Sequence, residues 1–157
     1  MMRWLAWAAL VVVADQLAKF AVTRALAHGG GIEVAPFFNL VLVHNRGAAF
    51  SFLSSASGWQ REFFIGIAGV ACAWIVHLLR RHPRETLFCF ALSLILGGAA
   101  GNVIDRVWLG AVIDFLDFHA AGYHWPAFNV ADSAISCGAA LLVWESLRPK
   151  ARRQRPA

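Results

Sequence analysis

Charge is what this sequence has least of. Asp, Glu, Lys and Arg make up 15% of its 157 residues, where a soluble domain carries about 25%. Cysteine and histidine are thin as well. The three cysteines (Cys72, Cys89, Cys137) form no CxxC pair and fall inside apolar blocks, which reads as small buried side chains rather than disulfides or thiolate ligands. The six histidines are scattered without an HExxH spacing, so nothing supports a zinc enzyme. There is no internal repeat and no low-complexity tract apart from a basic tail. What fills the chain is apolar: 59% of residues, gathered in long blocks rather than short alternating runs. That distribution points to a bilayer rather than to a soluble helical core.

Four blocks approach the ~20 residues that a ~30 Å hydrocarbon layer requires: about Trp4–Leu26, Phe63–Leu79, Leu87–Ile104 and Phe128–Leu147. The first also has features of a cleavable signal peptide, with Arg3, an apolar run from Trp4 to Ala14, and Ala25-Leu26-Ala27 in the A-x-A form. Against cleavage, Asp15 and Lys19 lie four apart on one helical face, where they can pair, and apolar residues resume after them. A retained helix is the expectation.

A formal charge of +5 invites a nucleic-acid reading, but nine of the fourteen Lys and Arg lie at Arg3, at Arg80, Arg81 and Arg84, and in the tail from Arg148 to Arg155. Those positions flank apolar blocks, as the positive-inside rule requires. Both termini are therefore expected in the cytoplasm, with one domain over 1–147 and a basic cytoplasmic tail over 148–157. Two long segments, about 27–62 and 105–127, are left outside, where the work is expected. The first holds Ile32–Val43, β-branched and aromatic and broken by Pro36, which reads as a strand or hairpin bent at the proline. Ser54–Gly58 is a loop signal. Glu33, Glu62, His28 and His44 read as solvated.

Of the nine acidic residues, Asp15, Asp105, Asp114 and Asp132 stand in or beside apolar segments, and an intramembrane carboxylate is a functional-site hypothesis by default. Trp125-Pro126-Ala127-Phe128-Asn129 opens the fourth helix, with Pro126 suited to its first turn and Asn129 to a cap. Asp132 is then expected one to two turns in, too deep to cap. Asp114 and Asp117 have equal claim on local pattern within Val112–Phe118, and ordinary surface acids are the plain alternative for both. Gly97 and Gly101 form a GxxxG packing signal. Asn102 and Arg106 share a face, so Arg106 could hold a carboxylate or polarise a carbonyl, and Asp105 could pin Arg106. Two carboxylates from separate segments meeting at a membrane face would share one proton and activate water without a metal, a nucleophilic Ser or Cys, or a cofactor.

Several stretches in order resemble the lipoprotein signal peptidases (signal peptidase II): Asp15–Lys19, Asn45–Ser51, Gly97–Arg106, Val112–Asp117 and Trp125–Ile135. The resemblance covers nearly the whole chain except the tail. It implies a bacterial inner-membrane aspartyl endopeptidase that cuts prolipoproteins just before a diacylglyceryl-modified cysteine. It implies four transmembrane helices with a small extracytoplasmic sheet between helices 1 and 2, catalytic Asp114 and Asp132, and supporting Asn102, Arg106 and Asn129. Asp15 and Lys19 resemble an internal polar pair, Asn45 and Gly47 an outer cradle for substrate, and Asp105 a structural member. With it come the expectations of a monomer in contact with membrane lipid, of no cofactor, metal or nucleic acid, and of a site facing the periplasm. A small proton-coupled transporter would place its carboxylate near the midplane with short outer loops. The GxGD motif of other intramembrane aspartyl proteases is absent.

Overall fold

The computed structural model describes residues 1–47 and 59–148. Ala48–Ser51, the Ser54–Gly58 loop signal and the basic tail beyond Arg148 lie outside the described residues. The elements run α1 (Met2–Ala25), β1 (Ile32–Ala35), β2 (Phe38–Asn45), α2 (Gln60–Arg81), α3 (Thr86–Leu109), β3 (Val112–Ala120), β4 (Tyr123–His124) and α4 (Val130–Leu147). All four helices are long and apolar enough to span a membrane.

Their burial is inverted relative to a soluble bundle. On α1, Asp15 is 0% and Lys19 2% exposed, while Leu17 and Phe20 are more than half exposed. Polar groups face inward and apolar ones outward, the arrangement that hydrocarbon imposes. Helix α3 is the hub, packed by α1, α2 and α4. Without water to drive association, small residues and close backbone approach hold such helices together. A side chain at Gly97 would put its Cβ 2.6 Å from the Ala8 carbonyl oxygen on α1, and one at Gly101 would lie 2.7 Å from Asp15 Oδ2. Adjacent Gly98 instead faces the Ala131 carbonyl on α4. The expected packing role of the Gly97/Gly101 pair is met. Apolar clusters sit at either end, around Trp4, Leu79 and Leu92 and around Val22, Ile113 and Phe115, with a polar layer between.

The sheet is antiparallel in the order β1-β2-β3-β4. Pro36 and Phe37 form the turn between β1 and β2, as the proline suggested. Ala121 (φ 50°) and Gly122 (φ 82°) close β3 onto β4, and this pair of left-handed residues suits the twist of a two-residue hairpin. The resemblance implied a sheet between helices 1 and 2. The structure corrects this: β1 and β2 come from there, but β3 and β4 lie between α3 and α4, and the central ladder joins β2 to β3.

Two boundaries also differ from expectation. Helix α3 continues to Leu109, where Gly110 (φ 72°) ends it in a left-handed cap. Helix α4 begins at Val130, so Pro126 precedes the helix instead of opening it. Asp132 therefore sits in the first turn and not one to two turns in.

Candidate active site

Strand β3 and helix α4 bring Asp114 and Asp132 to one cleft. Phe128, just ahead of α4, joins β3: its carbonyl accepts the Phe115 and Leu116 amides at 3.0 and 2.9 Å, and its own amide donates to the Leu116 carbonyl at 3.2 Å. The start of α4 is thus stitched to the strand that carries Asp114. Asn129 caps α4, its side-chain oxygen accepting the Asp132 amide at 2.8 Å, as the sequence led us to expect. Both aspartates line a cleft of about 470 Å³ with Asn45, Asn102, Arg106 and Trp125.

Neutral amides hold both carboxylates. Asp114, 2% exposed, accepts from Asn45 Nδ2 at 3.0 Å and from Asn129 Nδ2 at 2.8 Å. Half-buried Asp132 accepts from Asn102 Nδ2 at 2.8 Å. Asn129 Nδ2 also lies 3.3 Å from Asn102 Oδ1, linking the two sets. Burial pushes the Asp114 carboxyl up to about 6, helped by the charge of Asp132 and opposed by the hydrogen bonds from Asn45 and Asn129.

Behind this layer lies an ion cluster. Lys19 Nζ is 2.7 Å from Asp15 Oδ2, 2.7 Å from Asp105 Oδ2 and 3.2 Å from Asn102 Oδ1. The pairing of Asp15 with Lys19 is the one their spacing suggested. Asp105, however, does not pin Arg106 by any described contact. It pairs with Lys19, accepts the Ile113 amide at 3.2 Å and takes Gln16 Nε2 at 2.9 Å. Asp15 Oδ1 accepts the Ala131 amide at 2.9 Å. Gln16 was not singled out by sequence, where its signal was that of one more polar side chain inside an apolar block.

Arg106 has no described ion pair with an aspartate. It donates to the Gly47 carbonyl at 3.1 Å and lies over the Phe64 ring at 5.1 Å. The Gly47 amide in turn donates to Asn45 Oδ1 at 2.9 Å, so Arg106 braces the turn that aims Asn45 at Asp114. Arg61, also unsignalled, donates from α2 to the Arg106 and Val107 carbonyls, each at 2.8 Å, tying α2 to the end of α3.

Asp117 is used elsewhere. Pairing with His124 Nδ1 at 2.9 Å and a hydrogen bond from Asn39 at 3.1 Å hold it on the far part of the sheet. The tie with Asp114 left by local pattern is thereby separated in space. Cys89 is buried as expected, but Cys137 is exposed and lines the cleft. Glu33, Glu62, His28 and His44 are exposed. Among the described residues no cluster of His, Cys, Asp and Glu could hold a metal ion.

Residues 7–148 match the family described as signal peptidase (SPase) II. A lipoprotein signal peptidase of Paraburkholderia phymatum is 59% identical over 92% of this chain and 87% of its own. One from Azoarcus sp. is 52% identical over 100% of this chain and 92% of its own. A solved bacterial membrane enzyme superposes with a TM-score of 0.85 at 31% identity, covering 100% of this chain and 94% of that one. With a family match across nearly its whole length and relatives well above half identical, the chain belongs to the signal peptidase II family of membrane peptidases.

Proposed function

We propose that this chain is an aspartyl endopeptidase of the bacterial inner membrane. It removes signal peptides from diacylglyceryl-modified prolipoproteins by cutting just before the lipidated cysteine. The observation that carries this reading is the meeting of Asp114 and Asp132, from separate elements, in one cleft where neutral amides hold them.

Two carboxylates at one partly desolvated site share a proton and titrate as a unit. The ionised member takes a proton from water as it attacks, and the protonated member donates to the scissile carbonyl. Asn45, Asn102 and Asn129 support this by donating hydrogen bonds without cancelling the charge that the base needs. Gly47 and Arg106 support it by orienting Asn45.

The cleft continues along α4 past Ile135 and Ser136 to Cys137, about 7.5 Å beyond Asp132 at 1.5 Å per residue. A signal helix lies against this wall while the acyl chains on its cysteine stay in lipid, so substrate enters sideways from the bilayer. Residues 1–147 form one peptidase domain, and 148–157 are a basic cytoplasmic tail. Both termini face the cytoplasm beside Arg3 and Arg80–Arg84, and the sheet and the dyad face the periplasm. The enzyme works as a monomer among membrane lipids, without cofactor or metal and without a nucleic-acid partner.

The test is cleavage of a diacylglyceryl-modified prolipoprotein by purified protein in detergent, beside Asp114→Asn and Asp132→Asn. Wild type is expected to cut before the lipidated cysteine, and each folded variant to lose at least about a thousandfold. Cleavage that survives in both variants would remove the dyad from the reading. A folded but inert wild type would remove the peptidase itself.

A further inference from the structure

Lys19 is the only buried Lys or Arg among the described residues. Its ammonium offers three protons and meets three acceptors, Asp15 Oδ2, Asp105 Oδ2 and Asn102 Oδ1, so it is fully satisfied. A buried ion cluster is weak evidence for stability, because desolvating its charges offsets their attraction, and hydrocarbon raises that cost.

The second contacts of the two acids suggest what the cluster is for. From α1, Asp15 Oδ1 holds the amide of Ala131, the residue before Asp132, at 2.9 Å. From α3, Asp105 Oδ2 holds the amide of Ile113, the residue before Asp114, at 3.2 Å. One ammonium thus gathers two carboxylates, and each grips the backbone one residue ahead of a member of the dyad. The third acceptor of Lys19, Asn102, donates directly to Asp132. Gln16 reinforces the arrangement, donating to Asp105 Oδ1 at 2.9 Å and to Asp15 Oδ2 at 3.2 Å.

We propose that Lys19, Asp15 and Asp105 are a positioning cluster that sets the separation of Asp114 and Asp132 through the backbone amides of Ile113 and Ala131. This deepens the peptidase reading and rests on it. The cluster touches no reacting atom. It acts on geometry, where a displacement near 1 Å can cost about a hundredfold in rate.

It also acts on charge. The charged groups around the dyad are Asp15 and Lys19 from α1 and Asp105 and Arg106 from α3. Lys19 donates to Asn102, which holds Asp132, and its positive charge draws the Asp114 carboxyl downward.

Asp105 gives the cleanest test. Asp105→Asn keeps an oxygen for Lys19 and the Ile113 amide and gives up only the hydrogen bond from Gln16, whose Nε2 retains Asp15 and the Gly101 carbonyl. Asp105→Leu keeps the size and removes the acceptor. With purified full-length enzyme and the same prolipoprotein, kcat is expected to fall by no more than about fivefold in Asp105→Asn. In Asp105→Leu it should fall by a hundredfold or more, with KM within about threefold of wild type and the loss exceeding any loss of folded protein. Lys19→Met, where it folds, should move the acidic limb of the kcat/KM profile to higher pH.

An Asp105→Leu enzyme whose activity tracks its folded fraction, or whose defect lies in KM, would overturn the cluster while leaving the peptidase standing. So would equal losses in the Asn and Leu variants. An inert wild type would overturn both together.

Discussion

Each of the three asparagines at the dyad has its amide oxygen committed elsewhere. Asn45 Oδ1 accepts the Gly47 amide, Asn102 Oδ1 accepts from Lys19, and Asn129 Oδ1 accepts the Asp132 amide. None can turn its amide over without breaking that contact, so the NH₂ groups are bound to point at carboxylates. The cap at Asn129 was legible in the sequence. The aim of Asn45 was not, because it depends on strand pairing and on Arg106 bracing Gly47 across the fold.

Burial, opposed by those donors, makes Asp114 a titrating load on the fold. Its carboxyl is raised to about 6, so between about pH 4 and 6 the folded protein binds the extra proton and stability falls as pH rises. A rise from an ordinary value near 3.8 bounds this at about 3 kcal/mol. Unfolding midpoints in detergent should therefore show wild type losing ground to Asp114→Asn between pH 4 and 7. A difference that does not change with pH would refute it. Asp117 has the opposite sign. Burial pushes its carboxyl up, but hydrogen bonds from His124 and Asn39 outweigh that and leave it below the ordinary range, so its contribution is present at neutral pH and lost on acidification.

Among the elements, α3 decides most of the geometry, because Gly97 and Gly98 turn to different neighbours. The GxxxG spacing made the α1 side readable, whereas nothing local singled out Gly98 as the contact with α4. A Cβ there would meet the Ala131 carbonyl, backbone that cannot step aside by a rotamer change. Gly98→Ala should cost on the order of 1–3 kcal/mol, as overpacking does. It should also lower kcat/KM at least tenfold at temperatures where the protein is folded, since Ala131 precedes Asp132. Thermal unfolding and cleavage rates on the same sample check both, and an unchanged rate would show that α4 tolerates the shift. The sheet was only half legible for a related reason. Asn39 pairs with Asp117 across 78 positions of sequence, and no local pattern encodes such a ladder. The start of α4 was misjudged because Phe128 has apolar, helix-compatible chemistry but is claimed by β3.

At the scale of the molecule, the four spans were plain from length and hydropathy, and the pairing of Asp15 with Lys19 was plain from their spacing. Topology is argued from the basic residues. A reporter that matures only in the cytoplasm, fused after Ala157, should fluoresce, and the same reporter inserted between Ala121 and Gly122 should stay dark. The reverse pattern would invert the assignment of faces.

The bond from Asp15 to the Ala131 amide spans 116 positions of sequence. A chain enters the membrane from its N-terminus, so Asp15 is in place long before the helix it completes has been synthesised. Until α4 inserts, Asp132 has not joined Asp114 and the cleft is incomplete, and when α4 does insert it docks onto a partner already waiting. A ribosome that stalls before α4 therefore leaves a three-helix fragment that lacks Asp132, and on the proposed mechanism such a fragment cuts nothing.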